Sequence, residues 1–207
     1  MGVISNGTTL LDAGALDSGI ATGSMTLIKT LTASGSANLS FVDGAGGVVL
    51  DGTYKQYVFK FIDIHPATNG ATFQFQGSVN TGSAYGVTTT NTIFQAFHNE
   101  ADGTTGLSYD DGDDIASGTG FISLVRDDKL GADADQCAVG TLHIFDPSST
   151  TFQKHYSATT QASHASDFSL ECFTAGYFNT TSAVDAIQFK MHSGNIEAGT
   201  IKLYGIS

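Results

Sequence analysis

The chain has 207 residues, 41% hydrophobic and only 14% charged, with 20 acids against seven lysines and one arginine, Arg126, and a net charge of −12. That length supports one substantial core, while the acidic balance argues against phosphate-neutralising contact with nucleic acid and against an anionic membrane surface. No apolar run reaches the length of a bilayer span, so a soluble chain is expected.

The opening MGVISNGTTLLDAGALDSG has no positive residue ahead of an apolar stretch, unlike a secretory signal. Asn6 stands where a myristoylation signal requires Ser or Thr. Residues 1–23 mix Gly, Ser and Thr with scattered Val3, Ile4, Leu10, Leu11 and Ile20, a poor helix and a poor free linker. They read as an extended N-terminal arm that needs a surface to lie on. From Ser24 the apolar period becomes two, and residues 24–207 read as a single sandwich domain.

Met25–Leu31, Asn38–Val42 and Val48–Leu50 are the first predicted strands. Tyr54–His65 follows with apolar residues on both faces: Tyr57, Phe59 and Phe61 on one, Val58, Ile62 and Ile64 on the other. Such a strand is central or lies under a neighbouring subunit. Asn69-Gly70 is expected to close a hairpin from it to Thr72–Val79, where Phe73, Phe75, Gly77 and Val79 share a face. Thr92–His98, Phe121–Arg126, Ala138–Phe145, Phe152–Ser157 and Phe168–Phe173 come next, then Ile187–Met191 and Thr200–Ile206. Asp43-Gly44, Asp51-Gly52, Asp102-Gly103, Asp146-Pro147 and Ser193-Gly194 supply turns between them. Helical periodicity never lasts beyond about two turns, and no internal repeat is present. The expected fold is all-β, an antiparallel two-sheet β-sandwich of the jelly-roll kind.

Chemistry is sparse. Cys137 and Cys172 lie in separate apolar segments and read as buried thiols of a protein made in a reducing cytoplasm. The six histidines show neither HExxH nor HxH spacing, and no nucleophile elbow or phosphate loop occurs. His143 and His155 read as strand residues near a sheet edge or an interface. No catalytic residue is assigned, and no cofactor beyond one candidate ion. Ten of the 20 acids fall within residues 100–135. There Asp110, Asp111, Asp113 and Asp114 surround a glycine and are candidate Ca²⁺ ligands, without the EF-hand spacing or its closing Glu; the alternative is a solvated loop. Tyr85, Tyr109 and Tyr177 lie near turns and are the candidate sugar-stacking side chains.

The segments MTLIKTLTASGSANLSFVDG, VVLDGTYKQYVFKFIDIHPAT, FDPSSTTFQKHY and AGYFNTTSAVDAIQFKMHSGNIEAGTIKLYGIS run over most of the chain. Together they resemble virion structural proteins of tailed phages of marine bacteria, most recognisably in the ending GTIKLYGI. The resemblance implies a non-enzymatic particle subunit, made in the host bacterial cytoplasm and located in the virion. On that basis the expected role is a capsid-associated decoration or vertex protein; the alternative is a tail or fibre appendage binding a host-surface receptor or glycan. The expected partners are further copies of the chain, a trimer above all, and other virion proteins such as the major capsid protein.

Overall fold

The structure, a computed structural model, describes residues 24–126 and 129–207 and, ahead of them, the backbone of three short strands. These are β1 (Val3–Ser5), β2 (Thr8–Asp12) and β3 (Ala15–Leu16), which pair antiparallel with one another. The rest of the expected arm over 1–23 lies outside the described residues, as do Asp127 and Asp128. Then come β4 (Met25–Thr32), β5 (Leu39–Val42), β6 (Gln56–Pro66), β7 (Phe73–Ser78), β8 (Thr89–Asn99), β9 (Thr105–Tyr109) and β10 (Ile115–Gly118). The remainder are β11 (Ile122–Ser123), β12 (Ala138–Phe145), β13 (Lys154–His164), β14 (Phe168–Phe178), β15 (Ala186–Met191) and β16 (Ile196–Ile206).

Two antiparallel sheets form the sandwich. The larger has nine strands in the order β10-β8-β14-β13-β12-β6-β16-β4, with β9 sharing the free edge of β8 with β10. The smaller is β11-β7-β15-β5. No helix occurs among the described residues. This is the expected all-β sandwich; the strand order does not establish the jelly roll. Its clearest local feature is a meander, β12-β13-β14, in which each strand pairs with the next.

Alternation explains the layers. In β13 the even residues Tyr156, Ala158, Thr160 and Ala162 are buried between the sheets, while His155, Ser157 and Gln161 face out. The core is dominated by phenylalanine. Phe59 and Phe61 of β6 meet Phe41, Phe73 and Phe189 of the small sheet edge to face, with centroids 5.1–5.4 Å apart, and Phe75 joins them through Phe189 at 6.3 Å. Hydroxyls complete the packing where β13 and β14 lack bulk. Thr174 Oγ1 donates to the Ser123 carbonyl at 2.9 Å, and Thr160 Oγ1 donates to that of Leu124.

Several local expectations are corrected. Asn69-Gly70 does turn the chain, with Gly70 at φ +76°. It joins no hairpin, because β6 pairs with β12 and β16 in the large sheet and β7 with β11 and β15 in the small one. Val48–Leu50 is not a strand, although Val48 and Leu50 are buried, and only Ile122–Ser123 of Phe121–Arg126 is extended into a ladder. The doubly apolar strand is central, as expected. Its phase changes at Asp63, whose φ of +51° marks a bulge opposite β16, so Ile64 joins Phe59 and Phe61 in the core rather than Ile62 outside.

Candidate functional site

The long strands present a wide outer face on the large sheet. Register aligns its outward side chains into rows. One runs Tyr109, Phe94, Phe173, Thr159, Thr141, Lys60, Lys202 and Thr30 across eight strands. The next runs Thr92, Ala175, Ser157, His143, Val58, Tyr204 and Leu27. Phe94 and Phe173 stack at 4.8 Å with their planes 12° apart, and Lys60 lies 5.6 Å from the Tyr204 ring centroid. Most of the exposed large apolar side chains among the described residues fall on this face, including Leu27 at 52% and Phe94 and Phe145 at 40%. A shallow groove of about 200 Å³ opens beside the stacked rings. Exposed apolar side chains gathered on one face, with threonines, serines and two lysines among them, are a candidate interaction surface.

The two singled-out histidines lie on the same face. His143 and His155 belong to β12 and β13, interior strands, so they are on the face and not at an edge. Burial lowers the pKa of His143, whose Nδ1 is 2.8 Å from Gln56 Nε2. His155 leans on Tyr177 with centroids 5.8 Å apart.

The acidic segment around Gly112 interrupts the sheet's edge. β9 and β10 pair with successive stretches of β8, and residues 110–114 form the turn between them. Its carboxylates diverge. Asp110 is buried and ion-paired with Arg126, and Asp113 is buried and accepts from Ser123 Oγ at 2.8 Å. Asp114 accepts from the Tyr109 hydroxyl at 2.6 Å, raising the tyrosine pKa, and Asp111 is exposed. Among the described residues no group of three His, Cys, Asp or Glu side chains is arranged to hold a metal ion. The geometry predicts that Asp110→Asn, which strips Arg126 of its carboxylate, costs about 1–2 kcal/mol, less than a fully buried pair because Arg126 is partly exposed. Denaturant titration should give that loss in calcium and in chelator alike. A loss confined to calcium would instead mark these carboxylates as ligands of the ion.

A polar cleft of about 460 Å³ lies at the end of the sandwich where the β8–β9 and β13–β14 turns meet the loop ahead of β12. Glu100, Asp133, Asp135 and Asp167 line it with His98 and His164. Gln136 organises one wall: its Oε1 accepts from the Asp133 amide at 3.1 Å and its Nε2 donates to the His164 carbonyl at 3.4 Å. Burial, with Lys129 and Arg126 nearby, lowers the pKa of His164. Sequence reading missed this cleft, whose residues are far apart in the chain. The three candidate sugar-stacking tyrosines are not assembled there. Tyr85 borders a different hollow near Asn80 and Asn179, Tyr109 ends β9, and Tyr177 is on the outer face.

Both cysteines are free. Cys172 is buried, which pushes its thiol pKa up to about 12, and Cys137 is half-buried with its pKa raised for the same reason. A thiol held protonated is a poor nucleophile. Lys154, wholly buried, donates from Nζ to the carbonyls of Phe152 at 2.9 Å and Thr180 at 3.1 Å, which ties the start of β13 to the end of β14.

No protein-family model, curated protein or solved structure matches this chain.

Proposed function

We propose that the chain is a virion structural protein of a tailed phage, a capsid-associated decoration or vertex subunit that works by contact and not by catalysis. The observation that carries this reading is the outer face of the nine-stranded sheet, which gathers most of the exposed large apolar side chains among the described residues in a chain of net charge −12. The resemblance of the GTIKLYGI ending and its companion segments supports it. Copies of the chain and other virion proteins, the major capsid protein among them, are the partners it implies, with assembly in the host cytoplasm.

The end cleft favours a second reading, a tail or fibre appendage that binds a host-surface receptor or glycan, because loops at the end of a sandwich form a recognition surface. Quantitative peptide analysis of purified particles tests the first reading. The chain is expected in a fixed ratio to the major capsid protein; its absence from particles would contradict both readings, and its presence only in a tail fraction would select the second. Turnover of host polysaccharide by the purified protein, lost on replacing Asp113 or Asp114, would overturn the non-catalytic part.

A further inference from the structure

We infer that the outer face of the nine-stranded sheet docks a second copy of this chain across a two-fold axis running along the strands between β12 and β13. The inference rests on the particle-subunit reading for its biological purpose, and names the surface through which copies meet.

Charge separates this face from the rest of the molecule. Its four central rows, from β8 to β4, contain Lys60 and Lys202 against two acids, Glu171 and the bulge residue Asp63, although the chain has 20 acids. Copies of a protein at −12 repel one another, so an acid-depleted surface is where two of them can approach. Lys60 and Lys202 also sit directly opposite each other on β6 and β16. Like charges in that position destabilise a sheet unless other groups answer them; within the chain Lys60 lies over the Tyr204 ring, and a second copy adds apolar surface for both stems.

The surface for those stems is on the same row. Along the order β10-β8-β14-β13-β12-β6-β16-β4 the midline falls between β13 and β12. Phe173 on β14 and Lys60 on β6 lie equally far from it on opposite sides, as do Phe94 on β8 and Lys202 on β16. A two-fold axis along that midline lays the stacked Phe94–Phe173 pair of one copy over the lysine pair of the other, twice. Aligned sheet packing rotates the strands by about 30°, an offset of about 4 Å at Phe173 and Lys60 and about 6 Å at Phe94 and Lys202, which extended lysine stems span. Each contact then packs a lysine stem on the edges of the stacked rings, with the groove beside them accepting its methylenes. A surface that complements itself is what an isologous dimer requires.

Size agrees. Seven strands at the usual spacing and four rows of side chains cover about 900 Å² per copy, about 1,800 Å² for the pair, within the range of stable specific interfaces. The unit this face favours is a pair, where the sequence resemblance led to the expectation of a trimer.

Sedimentation equilibrium on the purified full chain tests the contact. Wild type should have twice the mass of one chain at micromolar concentration. Phe94→Lys, which sets lysine against Lys202, should weaken the dimer by more than about tenfold while the far-UV circular dichroism spectrum stays that of the folded sandwich. Adding Lys202→Glu to Phe94→Lys should restore it, while Phe152→Lys, at an exposed position off the face, should leave it intact. A monomeric or trimeric wild type, a dimer indifferent to Phe94→Lys, or no restoration by the double change would overturn the inference. Particle composition is measured separately, so a monomer found in particles removes this contact but not the subunit reading, and a dimer absent from particles does the reverse.

Discussion

Replacing Phe189 with alanine should lower the free energy of unfolding by about 3–5 kcal/mol, the range for deleting a buried phenylalanine. Phe189 is fully buried on β15 of the small sheet. Its ring lies 5.1 Å from Phe59 and 5.4 Å from Phe61, both on the large sheet. It also meets Phe41, Phe73 and Phe75 within its own sheet at 5.9–6.3 Å. One ring therefore fills the space between the layers and contacts five others. Removing it leaves a cavity walled by rings on rigid ladders, which cannot collapse inward, so the lost transfer free energy and the cavity cost add. Urea titration reads the change. A loss below about 1.5 kcal/mol would mean the sheets close over the gap and the two-layer packing is looser than described.

Gly199→Val should be of similar size, at least about 3 kcal/mol, from backbone strain and overpacking together. Gly199 sits at the β16 side of the bulge with φ +116°, a region that side chains avoid. A Cβ there would be 2.6 Å from the Asp63 carbonyl oxygen and 2.8 Å from Ile64 Cα, and backbone atoms cannot swing aside. Gly47 supplies the comparison. Its φ is +84° but nothing lies within 4 Å of its Cβ position, so Gly47→Ala should cost only the conformational strain, about 1 kcal/mol. Equal losses at the two positions would show that the bulge yields and does not hold Ile64 in the core.

The bulge also shows where sequence reading stops. Period two identified β6 as a central strand with two apolar faces, because Tyr57, Phe59 and Phe61 alternate cleanly with Val58 and Ile62. It could not show that Asp63 adds a residue and returns Ile64 to the inner face, since a bulge resets the phase without altering composition. Turn chemistry was legible in the same partial way. Gly70 does take positive φ, but dihedral preference says nothing about which sheet the next strand enters. The second halves of β13 and β14 were missed because Thr159, Thr160, Ala162, Thr174 and Ala175 are small or polar. Their ladders depend on neighbouring strands and on inward hydroxyl bonds that no local pattern shows. β9 and β10 were hidden by the acids between them. The candidate face was half visible, as apolar residues on the wrong side of β6. The pairing of aromatic and lysine positions about the sheet's midline appears only once strand order is known.

A density map of the intact virion tests the proposal that this chain builds a particle through its large sheet. Two-layer sandwiches are expected at regular positions on the particle, paired with their nine-stranded sheets facing each other. Particles that contain no density for the chain, or in which that face is turned to solvent, would contradict it.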